Sequence, residues 1–186
     1  LTDWDFERDG TASLGGQWTF VWEELVEPMP IDALRDKYRG LIHVPGTWKG
    51  QPEPSNPDQV LMGTGHATYV LEVRLPPGVP GQSLGLFMRT ATSAARWDVY
   101  SEDGTKLLGR IEQGVAGSTR KTTTPLYSQS MTTLPPGEGG RMMVMVRVSN
   151  FHHARGGMYY KPKIGRSQDV RQDLFCLLYT SPSPRD

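Results

Sequence analysis

The sequence predicts an all-β domain, an antiparallel β-sandwich of jelly-roll type carrying one short surface helix. Three observations carry that prediction. Apolar and polar residues alternate with period two in several separate runs, the pattern of half-buried strands. Turn-forming residues interrupt the runs at roughly 8–12-residue intervals, the spacing of sandwiches and barrels. The 21 glycines and 15 prolines among 186 residues exceed their usual combined share of roughly one residue in eight, which argues against a helical bundle.

The elements follow in chain order. Trp18, Phe20 and Trp22 share one strand face, with Gln17, Thr19 and Val21 opposite. Residues 30–39 alone read as helical, with Asp32 placed to cap and Ala33, Leu34 and Tyr38 to cover one side. Ala67, Tyr69, Leu71, Val73 and Leu75 alternate with Thr68, Val70, Glu72 and Arg74. Leu84, Leu86 and Met88 form a third run, Ala95, Trp97 and Val99 a fourth, and Met142, Val144, Val146 and Val148 the last. Each run offers one apolar face, as in an antiparallel sheet whose other side is wet. Trp18, Phe20, Tyr69, Leu71, Val73, Trp97, Val144 and Val146 are therefore the expected core.

The connections agree with this layout. Leu75-Pro76-Pro77-Gly78 and Leu134-Pro135-Pro136-Gly137 each stop a segment, because proline donates nothing to a ladder. Ser101-Glu102-Asp103-Gly104 is a hairpin signal in which Asp-Gly supplies the positive-φ position.

Composition excludes several classes. Twenty basic and 20 acidic residues give zero formal charge and a pI near 7.1, without the basic footprint of a nucleic-acid binder. Apolar runs are too short for a membrane span, and no signal segment opens at Leu1, so the start reads as processed or truncated. One cysteine excludes an internal disulfide framework and a cysteine-based zinc site. That cysteine opens the stretch 176–186, Cys-Leu-Leu-Tyr-Thr-Ser-Pro-Ser-Pro-Arg-Asp, which reads as the translation of a transposase-type sequencing adapter. The expected division is a sandwich over 1–165, a polar connector over 166–175 and an adapter-derived tail over 176–186.

The chemistry-bearing patterns are few. His-Glu-x-x-His, Gly-x-Ser-x-Gly and phosphate-loop motifs are missing, and the glycine-rich loop at 114–122 has the wrong spacing for phosphate. Paired glycosidase carboxylates are not recognisable from spacing. The expectation is a non-enzyme with no catalytic residue, no cofactor and no metal. His152 and His153 would point to opposite faces of an extended chain and would not converge on one ion. Asn150 can close a turn through its side chain, and Gly156-Gly157 then permits a reversal. Trp48 either stacks on a sugar ring or, more often for such a tryptophan, packs in the core or at its rim.

Certain segments carry a family resemblance. Leu14-Gly15-Gly16-Gln17-Trp18-Thr19-Phe20, Val44-Pro45-Gly46-Thr47-Trp48 and the Gly65-to-Tyr69 strand start resemble the N-terminal, sugar-binding-like jelly roll of family 2 glycoside hydrolases. A fuller resemblance is to the extracytoplasmic domain of bacterial seven-transmembrane receptors with diverse intracellular signalling modules. Trp18-Thr19-Phe20-Val21-Trp22-Glu23-Glu24-Leu25, Gly114-Val115-Ala116-Gly117 and Val148-Ser149-Asn150-Phe151-His152-His153-Ala154-Arg155-Gly156-Gly157 carry it, the last most specifically. Glu102-Asp103-Gly104 stands where those relatives often have asparagine-glycine, which keeps the turn but not any ligand contact by the asparagine.

The resemblance implies a jelly roll of galactose-binding-like type. It implies a ligand-sensing, extracytoplasmic (periplasmic) part of an inner-membrane receptor, with the protein's own transmembrane helices and a cyclase, histidine kinase or phosphatase output beyond it. The alternative is the non-catalytic, carbohydrate-binding N-terminal module of a family 2 glycoside hydrolase, and a third reading is a stalk domain without a ligand. The partner is a small molecule, with carbohydrate as one class, and a homodimer stays open. Loops at one end of a sandwich are the expected site. There Trp48 offers a stacking face, Asn150 a paired donor and acceptor, and Arg155 a charge, with His66 and His152 beside them. The competing reading is that Asn150 and His152 merely staple the loop after the last core strand.

Overall fold

The alternating runs become strands in a computed structural model that describes residues 1–76, 83–135 and 140–180. The Pro77-Gly78 and Pro136-Gly137 parts of the two proline stops, and residues 181–186 of the tail, lie outside the described residues. In chain order the first elements are β1 (Ala12–Ser13), β2 (Gly16–Trp22), α1 (Ile31–Lys37), β3 (Leu41–Val44), β4 (Gly46–Thr47), β5 (Pro52–Glu53) and β6 (Asn56–Val60). The long strands follow, β7 (Gly65–Arg74), β8 (Leu84–Met88), β9 (Ala94–Ser101) and β10 (Leu107–Val115). The remainder are β11 (Thr124–Pro125), β12 (Ser130–Leu134), β13 (Arg141–Asn150), β14 (Gly157–Met158), β15 (Lys163–Arg166) and α2 (Ser167–Thr180).

Two antiparallel sheets face each other. The larger has the order β11-β10-β9-β13-β7-β2-β3, the smaller β1-β15-β8-β12, and β14-β4 and β5-β6 are separate ribbons. Strand β13 lies at the centre of the larger sheet. It pairs with β7 from Arg141↔Arg74 to Asn150↔Gly65 and with β9 from Met142↔Ser101 to Ser149↔Ala94. The Asp103-Gly104 hairpin joins β9 to β10, with the Gly104 N–H donating to Ser101 O at 2.9 Å and Gly104 at φ +74.

The core between the sheets is the one the alternation predicts. Trp18, Phe20, Tyr69, Val73, Trp97, Val144 and Val146 are all buried, against Leu84, Leu86, Met88 and Ile164 of the smaller sheet. Leu71 is only partly buried. Phe20 meets Tyr69 edge to face at 5.0 Å between centroids, a favoured aromatic geometry.

Three expectations need correction. The second face of the larger sheet is not wet at its centre, because Val21, Val70, Met143 and Met145 pack there against Val26 and against Ile31 and Leu34 of α1. In α1 Asp32 makes no cap, Ala33 is exposed, and Ile31 with Leu34 forms the buried stripe. There is also a second helix: α2 starts on Ser167, whose N–H donates to Ser83 O at 3.0 Å, and runs through the expected connector into the expected tail. Its Val170 is fully buried, and Gly85 of β8 leaves room for it. The sequence concealed α2 because Val170 is the one apolar residue between Ser167 and Asp173.

Candidate functional site at the ends of the sandwich

At the β13 C-terminal end the structure brings Trp48 and Asn150 together on one carbonyl. Asn150 is completely buried and donates through Nδ2 to Gly63 O at 2.6 Å and to His153 O at 2.9 Å. Its Oδ1 accepts the His153 N–H at 3.1 Å. Trp48 donates through Nε1 to the same Gly63 O at 3.2 Å. All of Asn150's amide capacity in these bonds goes to backbone, which pins the turn that follows β13.

Trp48 therefore offers no face to a ligand. It is 0% exposed, with its ring stacked near Tyr69 and edge to face with Trp22. A Cβ on Gly156 would lie 2.0 Å from Trp48 Cζ2, so glycine there is what lets the loop close over the indole. The remaining expected site residues surround this staple. His66 is partly buried with its ring tilted against Phe151, His152 is exposed, and the Arg155 side chain is exposed while its carbonyl accepts from Thr92 Oγ1 and Tyr159 OH. Ser149 Oγ donates to Gly117 O at 2.6 Å, joining two of the segments that carry the family resemblance.

The opposite end holds a cavity of about 740 Å³. Leu75, Leu84, Leu108, Leu134 and Met142 form its apolar lining, and Asp32, Glu102, Asp103 and Arg141 its charged rim. Arg141 is fully engaged there. Its Nε donates to Glu72 Oε1 at 2.9 Å, Nη1 to Glu102 Oε1 at 2.7 Å and Nη2 to Asp32 Oδ1 at 2.9 Å. The bond from Arg141 holds Asp32 below the usual carboxylate range. Partial burial works against ionising Glu72, but the bonds from Arg74 and Arg141 outweigh it and lower its pKa too. Asp103, bonded by the Ser101 and Thr105 hydroxyls, is brought down to about 2.

A second charged group, missed in the sequence, sits on the outer face of the larger sheet. Asp98 is 0% exposed and takes Arg147 Nη1 at 2.8 Å and Arg110 Nε at 2.6 Å, with Arg96 Nε also 2.8 Å away. Arg147, itself almost buried, donates its other nitrogens to Val26 O. The signal was Arg96-x-Asp98 on a strand whose partners carry Arg110 and Arg147, but only the register reveals it.

Comparison with family profiles finds no match for this chain, and comparison with curated proteins finds none. Solved structures do match. β-Glucuronidase 2 of Bacteroides uniformis is 17% identical over 83% of this chain and 17% of its own, with a TM-score of 0.58. A glycosyl hydrolase family 2 member from Bacteroides cellulosilyticus is 15% identical over 83% of this chain and 20% of its own, also at 0.58. A family 2 β-galacturonidase from Eisenbergiella tayi is 18% identical over 84% and 24%, at 0.52. The chain spans a quarter or less of the length of these three enzymes. At such identities the likeness concerns fold, and the fold of this chain is the sugar-binding-like β-sandwich found in family 2 glycoside hydrolases.

Proposed function

We propose that this chain is a non-catalytic, carbohydrate-binding β-sandwich module of a larger family 2 glycoside hydrolase. The observation that carries the reading is the likeness of more than four-fifths of the chain to a minor part of such enzymes. The cavity chemistry supports it. A glycosidase needs one carboxyl kept protonated as general acid, with its pKa raised. At the rim of the cavity beside Arg141, Asp32 and Asp103 are shifted the other way, towards ionisation. Such groups bind and orient, and the acid–base work falls to another domain.

A second reading, the ligand-sensing extracytoplasmic domain of a membrane receptor, draws on residues 148–157. Their Ser149–Gly117 contact unites two of the three segments on which that resemblance rests. In that reading a ligand acts by its differential affinity for two arrangements of the receptor.

The gene that encodes this chain, read on both sides of it, separates the two. An α/β barrel there supports the glycosidase module, whereas successive apolar spans of about 20 residues overturn it in favour of the receptor. The purified chain should show no turnover of a panel of aryl glycosides. Turnover abolished by a single Asp or Glu substitution would overturn both readings.

A further inference from the structure

On the outer face of the larger sheet one buried carboxylate gathers three arginines, and two of them keep donors that the chain does not use. Asp98 accepts Arg110 Nε on Oδ1 at 2.6 Å and Arg147 Nη1 on Oδ2 at 2.8 Å, with the Tyr100 hydroxyl donating to Oδ2 at 3.4 Å. Arg147 gives its other nitrogens to Val26 O. Arg96 differs. Its Nε lies 2.8 Å from Asp98 Oδ2 but out of line for a hydrogen bond, and that nitrogen is enclosed without a partner. The side chains of Arg96 and Arg110 each keep 36% of their surface. With both Nε groups set against Asp98, the donors left to meet solvent are the paired N–H groups on Nη1 and Nη2 of each arginine.

The charges do not balance. Three guanidinium groups meet the single charge of Asp98, which is wholly buried with Arg147 almost so. Two further carboxylates compensate weakly. Glu27 stands 3.7 Å from Arg147 Nη2 but is 88% exposed, so water screens it. Glu112 lies opposite Arg96 in the β9–β10 register, yet it is exposed and makes no ion pair among the described residues. The cluster therefore holds a positive excess at the edge of a desolvated group, where charge is screened least. Asp98 also restrains two long side chains that are otherwise mobile, so little ordering remains when an anion arrives.

We infer that Arg96 and Arg110, held by Asp98, form a binding site for a tetrahedral oxyanion, the phosphate or sulfate group of a larger molecule. The number of acceptors selects that class. A planar carboxylate is saturated by one guanidinium fork, whereas a phosphate or sulfate group offers three or more oxygens and takes two forks together. The two arginines are anchored on the two oxygens of one side chain, close enough to share one anion. The inference goes beyond the carbohydrate-binding reading of the fold and does not rest on it.

The test is titration of the purified chain with inorganic phosphate, sulfate and acetate, each at constant ionic strength and followed by amide chemical shifts. Phosphate or sulfate should bind saturably, with the shifts centred on β9 and β10, and the tighter of the two names the ester. Acetate should bind about tenfold more weakly, because it engages one fork only. Arg96→Gln and Arg110→Gln should each weaken the tighter ion about tenfold, the loss of one charged fork. Glu112→Gln removes an exposed facing carboxylate and should strengthen binding roughly two- to threefold, a gain that a purely structural role for the arginines does not produce. Arg74→Gln, at the opposite end of the sheet, should change nothing. Three results would overturn the inference: no saturable binding of either ion, acetate binding as tightly, or folded arginine variants binding undiminished. If the arginine variants do not fold, an unchanged affinity in Glu112→Gln rejects it equally.

Discussion

Asn150 and Trp48, 102 positions apart in the sequence, converge on the carbonyl oxygen of Gly63, at 2.6 Å and 3.2 Å. One backbone oxygen thereby ties the end of the central strand to the loop that carries the most buried indole of that end. Removing the amide in Asn150→Ala leaves the His153 N–H and carbonyl, in a partly buried setting, and the buried Gly63 carbonyl without that partner. We expect a loss of about 2 kcal/mol of stability. Urea denaturation should show a lower midpoint at unchanged slope. A loss under about 0.5 kcal/mol would mean the 150–157 turn holds itself.

The close approach of Gly156 to Trp48 gives a coupled prediction. Trp48→Ala should cost about 3–5 kcal/mol, as for other buried aromatic deletions. Gly156→Ala should also destabilise the wild type, because its new methyl collides with the indole. In the Trp48→Ala background that second penalty should largely vanish. A double-mutant cycle measures the coupling, and additive effects would refute the collision.

The Asp98 cluster should behave as a buried ion group whose weak point is its most enclosed member. Arg96 and Arg110 keep about a third of their side chains in water and can turn outward, whereas Arg147 cannot. Asp98→Asn should therefore cost about 3–5 kcal/mol, chiefly by leaving Arg147 without its charge partner. Replacing Asp98 and Arg147 together by apolar residues should cost less than Asp98→Asn alone. Equilibrium unfolding of the single and double variants decides.

Acid should loosen the cavity end first. Asp32, Glu72 and Asp103 have folded-state pKa values below their ordinary ones, down to about 2 for Asp103. Lowered carboxylates contribute stability that is present above their unfolded values near ~4 and lost as pH falls through the folded values. Thermal midpoints should thus decline from about pH 5 to pH 2. In Arg141→Met, which frees Asp32 but leaves Glu72 to Arg74 and Arg35, that decline should be shallower. An unchanged slope would show that Arg141 does not set it.

The last helix divides at Val170. Truncation after residue 175 should leave the thermal midpoint within about 2 °C of the full chain, since Phe175 is half exposed and Val170 is fully buried. Truncation before Val170 should lower it by several degrees by uncovering β8. A large loss from the shorter deletion would show that residues 176–186 contribute structure.

The strands, the Asp103-Gly104 hairpin and most of the core were written locally in the sequence. Period-two alternation fixes which side chains of β2, β7, β9 and β13 share a face, whatever the strands pair with. Asp-Gly needs no distant partner to turn. Turn chemistry likewise made Asn150 legible as a staple, one of the two roles its sequence allowed.

The rest was decided by pairing between distant segments. Trp48 reads as a core or rim residue with a stacking platform as the alternative, and Gly156, 108 positions later, closes over it. Asp98 drew no notice in the sequence, and only the β9–β10 and β9–β13 registers set Arg110 and Arg147 beside it. The outer face of β13 became dry only because α1 lies across it, and Val170 makes α2 a part of the fold only by docking on β8. Local sequence fixes periodicity and turns, which are short-range properties of the backbone. Burial, ion pairing and the shape of a groove depend on what the tertiary fold lays against each face.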